Sequence, residues 1–148
     1  MPPAAPQDCP EVCRERWPAE AIWQAIEPVL PGFSVEILPE IDSSNSELMR
    51  RCRSGRAEPM LLVAERQSAG RGRLGRSWHS PPGSSLTFSL GLPLAPADWA
   101  GLSLVVGVSV AETLRALGAQ GLGLKWPNDL WLDQAKLGGI LVETAVLE

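Results

Sequence analysis

Three arginines alternate with three glycines in GRGRLGRS, residues 70–77. Guanidinium forks match the paired oxygens of phosphates and carboxylates. Glycine lets the backbone approach a ligand closely or turn with positive φ. The chemistry within reach is the holding of a small anion by Arg71, Arg73 and Arg76. Two nucleotide fingerprints overlap here. Gly70, Gly72 and Gly75 spell G-x-G-x-x-G, while Gly70, Gly75, Arg76 and Ser77 spell a P-loop with arginine in the lysine slot. Each fingerprint needs a helix to begin at the glycines, because the helix N-terminus holds the phosphates. Pro81, Pro82 and Gly83 break any helix that would follow, so neither reading stands. The plain alternative is a solvated Arg-Gly segment of RNA-binding type. Its short length, its lack of repetition and the strong strands on either side count against that.

Two further clusters carry polar groups at turns. In KWPNDLWL, residues 125–132, a strand brings in Lys125 and Trp126, Pro127 stiffens the turn, and Asn128 and Asp129 sit where the chain reverses. Lys, Asn and Asp there could bind a nucleotide and a metal ion, although Asn-Asp after Pro is also a common turn. In AKLGGILVET, residues 135–144, Lys136 opens a strand, and Gly138 and Gly139 permit close ligand approach or a bulge. A lone lysine at a strand start is otherwise a solvated cation.

The elements that must position these groups follow from periodicity. The chain has 148 residues, 45% hydrophobic and 20% charged, which predicts one globular domain able to bury a core. Residues 1–16 read as a loose lead-in, and the domain as 17–148. Ile22, Trp23 and Ile26 predict a helix over 18–27, and Phe33, Val35 and Ile37 alternate as a strand. Ser44 and Glu47 form a capping box for a helix over 45–54, with Asp42, Ser43 and Ser44 as the turn before it, Leu48 and Cys52 on one face and Gly55 as its stop. Strands are expected over 60–65, 84–92 and 122–126, with Leu86, Phe88 and Leu90 on one face of the second. A helix is expected over 97–117; its middle, LSLVVGVSV, is apolar all round and predicts burial. Residues 130–132 and 136–146 read as a hairpin across Asp133 and Gln134. The stretch 67–83 is a long loop, and a loop of that length in a compact domain is usually functional or disordered. The class is α+β: a mixed, largely antiparallel sheet with flanking helices.

Net charge is −4, which argues against a whole-surface nucleic-acid binder. The arginines gather in two groups, Arg50, Arg51, Arg53 and Arg56, and Arg66, Arg71, Arg73 and Arg76; local cation on an acidic chain suits a confined anionic ligand. Cys9, Cys13 and Cys52 are odd in number and lack a nearby His, so free thiols in a reducing cytoplasm are expected, with no metal site of their own. The N-terminus has no signal-peptide pattern, and no apolar run is long enough to cross a membrane.

Taken together, DSSN at 42–45, ERQSAGRGRLGRSW at 65–78, SPPGSSL at 80–86, KWPND at 125–129 and KLGGILVE at 136–143 resemble biotin–protein ligase, also called biotin–acetyl-CoA-carboxylase ligase. Each motif alone is weak; their order and separation are specific. The resemblance implies a fold related to class II aminoacyl-tRNA synthetases. It implies joining of biotin to ATP with Mg²⁺, giving biotinyl-5′-adenylate and pyrophosphate, then transfer of biotin to a lysine of a carboxylase's biotin carrier domain. It implies that Ser43, Ser44, Asn45 and Gln67 hydrogen-bond the biotin ring and line its pocket, that Gly70, Arg71, Gly72 and Arg73 also contact biotin, and that Gly138, Gly139 and Ile140 form a strand against which it packs. Arg71, Arg73 and Arg76 belong to the adenylate loop, with Arg73 catalytic, and Trp78, Asn128 and Asp129 lie near the nucleotide. Lys136 is the leading catalytic residue, contacting the biotin carboxylate and the α-phosphate.

Ser44 stands where the family often has Thr, and the hydroxyl survives. The family continues past the KLGGILVE strand with more core strands and a small β-barrel, so residues 17–148 correspond to part of a catalytic domain. A truncated chain is therefore expected. About 40 residues precede the motifs, too few for a helix-turn-helix domain, so no nucleic-acid partner is expected; a homodimer fits the family. Rival readings are a lipoate or octanoate ligase of the same fold, whose R-R-x-S-G-G-G-type loop is absent here, a polyanion-binding module, and an inactive fragment.

Overall fold

The computed structural model describes residues 17–81 and 83–146. The lead-in 1–16, with Cys9 and Cys13, and Pro82 lie outside the described residues. In chain order the elements are α1 (Ala19–Ile26), β1 (Ser34–Leu38), α2 (Ser44–Arg53), β2 (Met60–Ala64), β3 (Gly70–Arg71), a 3₁₀ turn (Arg73–Gly75), β4 (Ser77–Trp78), β5 (Phe88–Gly91), α3 (Leu102–Ala116), β6 (Leu122–Lys125), β7 (Asp129–Leu132) and β8 (Ala135–Gly139).

The strands form three sheets rather than one: β1-β2-β5, β3-β4 and β6-β7-β8. Only β1 and β2 run parallel; α2 is their crossover. Every other pair is antiparallel, so the largely antiparallel α+β expectation holds. β2 lies between β1 and β5, and α2 packs on β2 and β5. Being paired on both edges and covered by a helix, β2 holds the deepest side chains: Leu62, Val63 and Ala64 are at most 3% exposed. Phe33, just before β1, joins this core. A smaller core forms where α3 meets β6 and β7, from Ala111, Leu122 and Leu130.

α2 begins one residue earlier than its spacing suggested. Ser43, not Ser44, is the N-cap: its backbone is extended, and its Oγ accepts from Ser46 N–H at 3.3 Å. Ser44 is then the first helical residue, and its hydroxyl is released for other partners. The predicted loop 67–83 contains the short β3-β4 hairpin, and no α-helix starts at its glycines. This is the structural reason that both nucleotide fingerprints fail.

Three expectations are corrected. The strand over 84–92 shrinks to β5, and Leu86, Phe88 and Leu90 are 63%, 46% and 51% exposed. α2 covers the opposite face of that sheet, which carries Ser89 and Gly91; Leu48 lies over Gly91. α3 starts at Leu102 rather than 97, after Gly101 at φ +81°, and it is not buried all round. It touches β6 and β7 through Gly107 and Ala111, while Val105 is 65% exposed. A uniformly apolar helix needs neighbours on every side, and the described residues supply them on one. The strand over 136–146 ends at Gly139, and residues 140–146 continue without regular structure. The 130–132 strand and its turn at Asp133 and Gln134 are as read, with Asp133 at φ +52°.

Candidate functional site

A cleft of about 550 Å³ opens where three segments converge: the turn into α2, the β3-β4 hairpin, and the β6-β7 turn with the end of β8. Thr87 and the first two residues of β5, Phe88 and Ser89, also line it. Of the residues singled out above, Ser43, Ser44, Asn45, Gln67, Arg71, Gly72, Arg73, Arg76, Trp78, Asn128, Asp129, Lys136, Gly139 and Ile140 all line this one space. They come from four motifs spread over nearly a hundred positions.

One wall is a neutral hydrogen-bonding cluster. Ser44 N–H and Oγ both donate to Gln67 Oε1, at 2.7 and 3.0 Å, and Ser44 Oγ lies 2.8 Å from Ser89 Oγ. Ser43 and Ser44 are each 2% exposed. Buried hydroxyls that are fully paired fix one another's rotamers. With Oε1 engaged twice, Gln67 keeps Nε2 as a donor. The turn below is held by charge. Arg50 donates to both oxygens of Asp42 at 2.9 Å, and Asp42 Oδ1 also accepts from Ser43 N–H at 2.7 Å. Arg50 first, then the Ser43 amide, hold the Asp42 carboxyl down at about 2. Arg51 binds Glu47 and Glu36, and Arg51 chiefly lowers the Glu47 pKa. The first arginine group is thus consumed in part by internal ion pairs: neither Arg50 nor Arg51 lines the cleft.

The other wall is cationic. Lys136 Nζ donates to Asp129 Oδ1 at 2.8 Å and stands 5.5 Å from the centre of the Trp78 ring. Arg73 donates to Asn128 Oδ1 at 3.2 Å. Asn128 Nδ2 donates to Ile140 O at 3.0 Å, and Ile140 N–H donates back to Asn128 O at 2.9 Å. Asn128 therefore ties the β6-β7 turn to the end of β8 and holds Arg73 beside it. Arg71 pairs with Glu143 and donates to Ser46 Oγ at 3.2 Å. Lys125 turns away: it stacks at 4.2 Å on Trp131 and does not line the cleft.

Gly70 and Gly138 do not line the cleft either. Gly70 serves it indirectly. A Cβ there would sit 2.4 Å from Trp78 O and 2.9 Å from Gln67 Nε2, so only glycine lets the hairpin close. Gly138 lies in the ladder opposite Leu130. Two polar residues escaped the sequence reading. Ser89 sits on the alternate face of β5, and the apolar pattern of its neighbours drew attention to the wrong face. Glu143 ends KLGGILVE, and its signal is a lone carboxylate in the apolar run ILVETAV.

For a hard cation the cleft offers one carboxylate, Asp129, beside the Asn128 amide. Among the described residues no group of three or more His, Cys, Asp or Glu is placed to hold a metal. A magnesium ion held mainly by a ligand's phosphates would need no more than one such carboxylate from the protein. Among the same residues no helix is long and apolar enough to cross a membrane.

Residues 39–146 match the model of the biotin/lipoate A/B protein ligase family. The bifunctional ligase/repressor BirA of Escherichia coli is 51% identical over 119 residues, covering 77% of this chain and 36% of that protein. Biotin protein ligase from Aquifex aeolicus, solved in complex with biotin and ATP, superposes with a TM-score of 0.65 at 38% identity, over 75% of this chain and 47% of that one. The biotin acetyl coenzyme A carboxylase synthetase from Helicobacter pylori, with bound biotinylated ATP, gives 0.64 at 34% identity, over 75% and 55%. The chain thus spans between about a third and somewhat over half of the length of these relatives.

Proposed function

Because the chain belongs to the biotin/lipoate A/B protein ligase family, we propose that its cleft binds biotin and ATP and forms biotinyl-5′-adenylate. The observation that carries this is the meeting, in one space, of a neutral hydrogen-bonding wall and a cationic wall. Ser44, Gln67 and Ser89 suit the ureido ring, whose buried N–H and C=O groups would cost ~1–3 kcal/mol each if left unpaired. Arg71, Arg73, Arg76 and Lys136 suit the biotin carboxylate and the phosphates. The relatives solved with biotin and ATP, or with biotinylated ATP, support both substrates.

In the first step a biotin carboxylate oxygen attacks the α-phosphorus, and the bond to pyrophosphate breaks. Two anions must meet, so cations that offset their repulsion and the charge developing on phosphoryl oxygen lower the barrier. Lys136 is the catalytic residue in this reading, with Nζ leaving Asp129 to reach carboxylate and phosphate oxygens. Arg73, braced by Asn128, is the second. Trp78 offers a flat apolar surface beside Lys136, for the adenylate. Mg²⁺, when bound, would offset phosphate charge, held by Asp129 and the phosphate oxygens. In the second step a carrier lysine amine attacks the biotinyl carbonyl carbon, and AMP leaves. The carrier is the biotin domain of acetyl-CoA carboxylase or a related carboxylase. Family pairing and the exposed apolar side chains extend the reading to a homodimer.

The test is mass spectrometry of the chain incubated with biotin and Mg-ATP, with and without a carrier domain, beside lipoate in place of biotin. Biotinyl-adenylate without a lipoyl counterpart is expected. A lipoyl-adenylate alone would move the chain to the lipoate branch of the family.

A further inference from the structure

Glu143 lies outside the cleft, yet each of its carboxylate oxygens holds a residue that lines it. Oε2 accepts from Asn45 Nδ2 at 2.5 Å, and Oε1 accepts from Arg71 Nη2. Asn45 stands in the first turn of α2 and Arg71 at the end of β3, so one side chain joins the helix to the arginine hairpin. The carboxylate is about one-quarter exposed, and Arg71 nearly half. We propose that Glu143 is a positioning residue that sets the donor and acceptor pattern of the cleft.

Two consequences follow from the geometry. Donation from Nδ2 fixes which way the Asn45 amide faces. Oδ1 is then left as an acceptor, and no described residue donates to it. An acceptor is what the N–H groups of a cyclic urea require. Arg71, in turn, spends Nη2 on Glu143 and Nη1 on Ser46, which leaves fewer of its five donors for a ligand anion. It is a wall cation with part of its charge already matched, as Lys136 is matched by Asp129, whereas Arg73 donates to the neutral Asn128 amide. The ligand half of this inference rests on the biotin reading; the hairpin half does not.

The test therefore has two arms. Trypsin cuts after Arg71, Arg73 and Arg76, and its rate follows the population of the opened hairpin. Without ligand, Glu143→Gln with an unchanged circular dichroism spectrum is expected to be cut roughly fivefold faster than wild type, the scale of a half-exposed ion pair. Arg71→Gln should match it at Arg73 and Arg76, and the double variant should be cut no faster than either. Wild-type rates in a folded Glu143→Gln, or additive effects in the double variant, overturn the proposal. If Glu143→Gln fails to fold, the rate of Arg71→Gln against wild type decides the same point. In the second arm biotin is titrated. Glu143→Ala should bind roughly fivefold more weakly than wild type, and Glu143→Gln, whose Oε1 still accepts from Asn45, should lie between. Equal affinity for all three overturns the positioning of Asn45. A wild-type chain that ignores biotin would sink the proposed function and leave the trypsin arm to judge Glu143.

Discussion

Ser44 makes three hydrogen bonds through two atoms, to Gln67 and Ser89, and it is almost completely buried. Ser44→Ala keeps the backbone bond to Gln67 but strips a hydroxyl from Ser89 and Gln67. It should cost about 1–3 kcal/mol of stability, read from urea denaturation; a shift within about 0.3 kcal/mol, the scale of an inert surface change, would show that the cluster is slack. Lys136→Ala tests the opposite wall. Under the proposed mechanism it should lower biotinyl-adenylate synthesis on the order of a hundredfold or more, while biotin affinity changes far less. Retained synthesis would remove Lys136 from the chemistry. At this scale the sequence was informative where polar groups concentrate in short motifs: Arg71, Arg73, Arg76, Ser44, Gln67, Asn128, Asp129 and Lys136 all reach the cleft, whereas Arg50 and Arg51 do not. It failed for Ser89 and Glu143, whose roles come from which neighbour the fold brings to them. Spacing along one segment does not encode that.

α2 and the β3-β4 hairpin are the elements that hold the walls apart. The Asp42 carboxyl stays near 2, against an ordinary 3.8, because Arg50 binds it, and Glu47 is lowered by Arg51. A depressed folded-state pKa contributes stability that is fully present above the unfolded value and is lost as pH falls through the folded one. The stabilisation from this turn should therefore fade between about pH 4 and about pH 2, modestly because both partners are half-exposed. Melting curves from pH 5 to pH 2 should fall less steeply for Arg50→Gln than for wild type. Parallel curves would mean that the ion pair adds nothing. In the hairpin, Gly70→Ala would drive a methyl into Trp78 O and should cost about 1–3 kcal/mol, as overpacking does. An unchanged denaturation midpoint would contradict the close approach. Element types were legible from periodicity, and boundaries were not. The sequence placed Phe88 and Leu90 on one face of β5 correctly and read the middle of α3 as apolar all round, but apolar character implies burial only where a neighbour exists. Phe88, Leu90 and Val105 have none on their outer side among the described residues.

Across the whole molecule, Leu86, Leu90, Val105 and Leu117 are each more than half exposed. In the proposed homodimer a second copy would cover part of this apolar surface. Sedimentation at rising concentration should show the mean mass increasing, whereas a strict monomer throughout would leave that surface without a partner of its own kind. The class was readable from the alternation of elements, and the assembly of the cleft because five motifs in this order resemble one family, and that resemblance implies a shared site. The division into three sheets was not, since strand pairing between distant segments leaves no local trace. Recognition of biotin by the cleft is what the proposed function rests on. Calorimetric titration of the folded chain with biotin, with and without Mg-ATP, tests it most directly. Saturable one-to-one binding at micromolar Kd or tighter, roughly −8 kcal/mol, is the predicted result. A folded chain that gives no heat with biotin and shows no competition by it for any ligand in the cleft would contradict the account.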